Sequence, residues 1–107
     1  MRIGILNYGF GNLCSLKKAL DYLDIDYLII NPGDKSIESC DKFILPGVGS
    51  FDYGIKKINS DPQINNILSQ VKEGKPLLGI CLGMQLLFNT SNEGSFNSGL
   101  NLIPGNC

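Results

Sequence analysis

The chain has 107 residues, of which 43% are hydrophobic, and it carries a formal net charge of −1. This length fits one small domain or part of a larger one, and the apolar content predicts a packed core. The near-neutral charge argues against a nucleic-acid partner, and the lack of a signal-peptide pattern or a long apolar run predicts a cytoplasmic protein with no membrane partner.

The first half of the chain alternates strand and helix patterns. Arg2–Leu6 is a near-continuous apolar run, which is typical of a buried parallel strand. Asn12 ends the turn that follows and is a suitable N-cap for a helix. Two further strands are predicted at Tyr27–Ile30 and Lys42–Leu45. The helix between the first two strands carries apolar residues at helical spacing, namely Leu13, Leu16, Ala19, Leu20 and Leu23.

The second half continues the same alternation. Asp61 predicts the N-cap of another helix, with Pro62 in its first turn and Gly74 just beyond its end. Leu77–Ile80 is the fourth predicted strand, and it leads directly into a helix predicted over Leu82–Asn89. A polar loop and a short apolar run complete the chain.

Strands that alternate with helices predict an α/β fold: a doubly wound, mostly parallel sheet with helices on both faces. Such sheets place their sites at the carboxyl ends of the strands. Three turns fall there, at Gly9–Asn12, Pro46–Gly49 and Cys81. Because the last apolar run has no helix to cover it, we expect residues 1–107 to be the N-terminal part of a single, truncated domain.

The strongest local signal surrounds Cys81. This cysteine lies between Gly79 and Gly83, where a strand turns into a helix, so the pattern predicts a nucleophile elbow with sulfur in place of oxygen. A helix N-terminus offers backbone N–H donors and a positive dipole end, which favour a thiolate. The alternative is a small cysteine that merely packs in a glycine-rich turn.

The other cysteines, Cys14, Cys40 and Cys107, have no C-x-x-C spacing, and the chain contains no histidine. The sequence therefore predicts no zinc site and three structural, free thiols. The missing histidine also matters for Cys81, because a cysteine nucleophile normally works with a histidine base. That base cannot come from these residues.

Three motifs together resemble the N-terminal half of a class I (triad-type) glutamine amidotransferase. They are N-Y-G-F-G-N-L after the first strand, I-L-P-G-V-G-S-F after the third, and G-I-C-L-G-M-Q-L-L-F at the elbow. Within that class they are most similar to the glutaminase subunit of imidazole glycerol phosphate synthase, in histidine biosynthesis. The resemblance implies that glutamine is hydrolysed without a cofactor, and that ammonia passes to a cyclase subunit in a heterodimer.

The resemblance also assigns roles to individual residues. Cys81 would form a thioester with the glutamyl group, and the oxyanion would be met by the N–H of Leu82 and by the Val48–Gly49 peptide. Gln85 and Glu93 would bind the substrate; the alternative for Gln85 is a solvated helix position. Asn12 would face the synthase partner; its N-cap role is the alternative. No residue is expected to bind a metal.

Other functions stay open at this stage. The family's H-x-E motif, which supplies the catalytic His and Glu, is absent from these residues, so we do not expect turnover by this chain alone. A non-catalytic fragment that keeps the synthase-docking surface is one alternative, and a relative that serves another amidation, such as surface-sugar synthesis, is a second. A nucleotide-binding module would use Gly9-Phe10-Gly11, but Cys14 replaces the third glycine of that motif.

Overall fold

Four parallel strands form the central sheet of the computed structural model, which describes residues 1–91 and 97–106. The strands are β1 Arg2–Leu6, β2 Asp26–Ile30, β3 Lys42–Gly47 and β4 Leu77–Cys81. Their order in the sheet is β2-β1-β3-β4, with every neighbouring pair parallel, so the predicted α/β class is confirmed. β1 and β2 match the sequence prediction closely, whereas β3 and β4 extend further toward the carboxyl end.

Four α-helices accompany the strands in the described part of the chain. The helices are α1 Leu13–Tyr22, α2 Phe51–Asn59, α3 Ile64–Lys72 and α4 Leu82–Gln85, with a short 3-10 helix at Lys35–Ser39. α1 was predicted, and Asn12 caps it as expected, since its Oδ1 accepts a hydrogen bond from Ser15 N at 3.3 Å. α2 was not predicted. Gly54 lies inside it and interrupts the sequence pattern, but Ser50 caps it and buried apolar residues hold its inner face.

Two apolar cores lie on opposite faces of the sheet. Alternate side chains of a strand point to opposite faces, so Leu6, Phe43 and Leu45 meet α2, α3 and α4. Ile5 and Ile44 point the other way and pack under α1. We call these the α2–α4 face and the α1 face. Helices on both faces agree with the doubly wound architecture predicted from the alternation.

α4 is shorter than the helix predicted over Leu82–Asn89. The chain leaves the helix at Leu86, because the carbonyls of Leu86 and Leu87 accept hydrogen bonds from Leu100, Leu102 and Ile103. These bonds draw the following residues into a second sheet of order β6-β5-β7. Its strands are β5 Phe88–Ser91, β6 Asn97–Ser98 and β7 Ile103–Asn106.

α3 begins later than Asp61 suggested. The helix starts at Ile64, and its N-cap position is Gln63, which makes no side-chain capping bond. The Asp61 carboxyl instead accepts the backbone N–H of Gln63 at 2.9 Å, together with two donors from other parts of the chain. Asp61 therefore binds backbone and side-chain donors just before the helix and does not occupy its N-cap position. No helix among the described residues is long and apolar enough to cross a membrane.

Candidate active site

Cys81 occupies a strained turn between β4 and α4. Its backbone has φ +56° and ψ −119°, and its side chain is exposed. A residue with a Cβ adopts positive φ at a cost, and such strain is typically held in place by its surroundings at functional sites. The turn thus has the geometry of the predicted nucleophile elbow, with the thiol presented at the carboxyl end of the sheet.

Close backbone contacts on both sides of Cys81 explain its neighbouring glycines. A Cβ added at Gly83 would lie 1.8 Å from the carbonyl oxygen of Leu45, and one at Gly79 would lie 2.7 Å from Cα of Met84. No side chain fits in either place, so α4 rests directly on β3 and β4 only because both positions are glycine. This packing holds the turn in its strained conformation.

A pocket of about 290 Å³ opens beside the Cys81 thiol. It lies where the ends of β3 and β4 face the start of α1, so the three predicted turns do converge there. Sequence reasoning did not single out the contributions of α1, although Ser15 and Leu16 lie one turn after Asn12 and the helical period places them beside it. The pocket is lined by Asn12, Ser15, Leu16, Pro46, Gly47, Val48, Ile80 and Cys81.

The backbone N–H groups near the thiol differ in whether they already donate a hydrogen bond within the chain. Leu82 is the first residue of α4, and an N–H at that position has no acceptor within its own helix. Val48 lines the pocket and is exposed, but its N–H donates to the carbonyl of Phe10 at 2.8 Å. The N–H of the Val48–Gly49 peptide belongs to Gly49, where φ is +116°.

Three other predicted site residues have different surroundings. Asn12 lines the pocket and also caps α1, which confirms the N-cap interpretation, while its role facing the synthase partner stays a prediction. Gln85 ends α4 and is half-buried, and it is not among the residues that line the pocket. Glu93 lies outside the described residues.

Of the other two described thiols, that of Cys14 matches Cys81 in exposure and that of Cys40 does not. Cys14 is free and exposed, while Cys40 is free and buried, and burial raises the pKa of the Cys40 thiol. Cys107 lies outside the described residues. Within residues 1–91 and 97–106, no three acidic or cysteine side chains come close enough together to hold a metal ion.

Comparison with known sequences identifies one family. The model of the family described as glutamine amidotransferase class-I matches residues 5–97. The imidazole glycerol phosphate synthase subunit HisH of Halalkalibacterium halodurans is 48% identical over 103 residues, and that of Prochlorococcus marinus is 44% identical over 104. These alignments cover 96% and 97% of this chain but 48% and 50% of the relatives. The chain thus spans about half the length of the curated relatives it matches.

Two solved structures are similar in fold. PurLQS from Thermotoga maritima superposes with a TM-score of 0.63 at 24% identity, over 80% of this chain and 42% of the other. A Listeria monocytogenes protein assigned as a peptidase E superposes with a TM-score of 0.72 at 14% identity, over 95% and 62%. At such identities the likeness shows the fold alone.

Proposed function

This chain belongs to the class I glutamine amidotransferase family, and on that premise we propose that it carries the nucleophile half of a glutaminase site. The observation that carries the proposal is the strained, exposed Cys81 beside a pocket at the carboxyl end of a parallel sheet. The pocket volume, about 290 Å³, suits a ligand of amino-acid size. Both features belong to the part of the chain that the family model matches.

The proposed reaction proceeds through a thioester. The thiolate of Cys81 attacks the side-chain amide carbon of glutamine, and the carbonyl oxygen gains charge that the N–H groups of Leu82 and Gly49 stabilise. Oxyanion donors of this kind contribute about 3 kcal/mol each. The C–N bond then breaks, and the nitrogen leaves as ammonia with an added proton. Water attacks the thioester to give glutamate and restores the thiol. We extend to Gln85 and Glu93 the substrate-binding role that the family resemblance implies, although Gln85 is not among the pocket-lining residues and Glu93 lies outside the described ones.

The catalytic base is supplied from outside these residues, since the chain contains no histidine. In the complete site an H-x-E segment provides the histidine and the glutamate that orients it. The ammonia passes to a cyclase subunit that makes imidazole glycerol phosphate in histidine biosynthesis, within a cytoplasmic heterodimer. Asn12, at the carboxyl edge of the sheet, lies on the side of that partner.

Covalent labelling tests this proposal without requiring turnover. The probe is a chloroketone analogue of L-glutamine, from which a thiolate displaces chloride to form a C–S bond. We expect peptide mapping to find the label on Cys81, and we expect excess L-glutamine to slow it. The exposed Cys14 serves as an internal control. Equal labelling of both thiols, or labelling that L-glutamine does not slow, would count against the proposed site.

A second candidate function is a docking fragment without catalysis, and the absence of histidine favours it. Such a chain would bind a purified cyclase subunit of imidazole glycerol phosphate synthase with no selective labelling of Cys81. Calorimetric titration of the two proteins separates the cases. Binding together with selective, glutamine-protected labelling supports the glutaminase site, whereas binding alone supports the docking fragment.

A further inference from the structure

A buried polar cluster, none of whose residues lines the pocket, takes no part in the proposed reaction. Its centre is Asp61, which is 3% exposed. One carboxyl oxygen accepts the hydroxyl of Tyr8 at 2.6 Å, and the other accepts the N–H groups of Gly33 at 2.8 Å and Gln63 at 2.9 Å. Burying a carboxyl group is costly unless donors surround it, and three donors meet this one.

Tyr8 connects this cluster to the turn after β1. Its side chain is 4% exposed. Burial, aided by the Asp61 hydrogen bond, raises the pKa of Tyr8 well above its usual range, so the hydroxyl remains a donor. The Tyr8 ring stacks on Phe10, with 6.1 Å between ring centroids and 27° between the planes. The Tyr8 side chain thus connects the Asp61 carboxyl group to the Phe10 ring.

Phe10 in turn contacts the end of β3 and the residue after it, at two points, and the end of β3 is the neighbour of Cys81 in the sheet. Its carbonyl accepts the N–H of Val48 at 2.8 Å. Its ring lies against Gly47, where an added Cβ would come within 2.8 Å of a ring carbon. Gly47 and Val48 both line the pocket, as does Cys81 across from them. A continuous series of contacts thus leads from the buried carboxyl group to the pocket wall.

From these contacts we infer that Asp61 and Tyr8 are positioning residues, which act through Phe10 to set the distance between residues 47–49 and the Cys81 thiol. The inference rests on the proposed glutaminase site. The positioning role depends on the hydrogen bond between the Tyr8 hydroxyl and the Asp61 carboxyl group. The rings alone allow Tyr8 to tilt, whereas the bond to Asp61 fixes its far end. A displacement of about 1 Å at a reacting centre is enough to cost up to a hundredfold in rate.

Tyr8→Phe tests the inference, because it removes the hydroxyl and keeps the ring. We expect the chloroketone analogue to label Cys81 about tenfold more slowly, while iodoacetamide, which needs no binding site, alkylates Cys81 at an unchanged rate. Tyr22→Phe is the matched control, since Tyr22 is 89% exposed, and it should leave both rates unchanged.

The buried Cys40 thiol reports whether a variant has lost its fold. If Tyr8→Phe makes Cys40 reactive, Phe10→Leu replaces it as the test variant, and selective loss of analogue labelling is again expected. If the analogue labels Cys81 in Tyr8→Phe, or in Phe10→Leu where that variant replaces it, as fast as in the unchanged chain, the positioning role is overturned. The glutaminase site is not affected by that result. An unchanged chain with no selective, glutamine-protected label at Cys81 overturns the glutaminase site, and the positioning role with it.

Discussion

The two faces of the central sheet differ in how completely the described part of the chain covers them. On the α2–α4 face, Phe43 and Leu45 are each 1% exposed. On the α1 face, Ile44 is 6% exposed, but Leu78, its partner across the β3–β4 register, is 57% exposed. The single helix α1 therefore covers the middle of its face and leaves the β4 side open.

The two faces contribute differently to the candidate site: one holds the Cys81 turn, and the other contains the pocket. The contacts that hold the elbow come from the α2–α4 face, where Gly83 meets the backbone of Leu45 and Gly79 meets that of Met84. The pocket opens on the other side, between the end of β4 at Ile80 and the start of α1 at Leu16. The densely packed face fixes the nucleophile, and the sparsely covered face leaves room for a ligand.

The largest effect is expected from Gly83→Ala. An added Cβ would overlap the carbonyl oxygen of Leu45, which is part of the sheet and cannot move aside, so α4 would have to separate from β3. We expect a loss of more than about 4 kcal/mol in the free energy of unfolding, or no folded chain at all. Urea unfolding followed by circular dichroism measures it.

Gly74→Ala is the matched control for that substitution. Gly74 has φ +117°, but an added Cβ there meets nothing within 4 Å. Its cost should therefore reflect backbone strain alone, about 1–3 kcal/mol. Similar losses for the two variants would show that the close contact at Gly83 is not what holds the elbow.

A leucine pair compares the two faces directly. Leu45→Ala empties a fully buried position on the α2–α4 face and should cost about 3 kcal/mol. Leu78→Ala removes the same atoms from an exposed position on the α1 face and should cost less than about 0.5 kcal/mol. Urea unfolding of both variants measures the difference. Equal costs would mean that a second copy or another polypeptide covers the α1 face in solution.

Local patterns predicted the elements that depend on near neighbours. The four central strands, the Asn12 cap and the turn at Cys81 follow from apolar runs, a capping side chain and flanking glycines. α2 was not predicted because Gly54 weakens its apolar pattern, whereas the helix is stabilised by packing on α4. The predicted end of α4 was wrong because the backbone carbonyls of Leu86 and Leu87 accept hydrogen bonds from residues more than ten positions later, and a local pattern does not contain such contacts.

The candidate site shows the same limit. The topology predicted the three turns at one edge of the sheet, and the structure shows that Asn12, Val48 and Cys81 from these turns line a common pocket. The bond from Val48 N–H to Phe10 joins two separate loops, and so does the bond from Tyr8 to Asp61. Asp61 was interpreted as a helix cap because its tertiary partners, 28 and 53 positions away, are invisible in the sequence.

The smallest expected effect concerns the buried Tyr8–Asp61 bond at high pH. The folded chain keeps Tyr8 protonated far above the usual pKa, whereas an unfolded tyrosine ionises near pH 10. The unfolded state then binds fewer protons, so the contribution of Tyr8 is fully present below about pH 10 and is lost above it, by up to about 1.4 kcal/mol per pH unit. Tyr8→Phe has no such contribution. The difference in unfolding free energy between the unchanged chain and Tyr8→Phe should therefore shrink as pH rises from about 9 to 11.

Tyr22→Phe, at an exposed position, is the control and should show no such trend. A trend shared by both variants would mean that tyrosine ionisation in general causes it, rather than this buried bond.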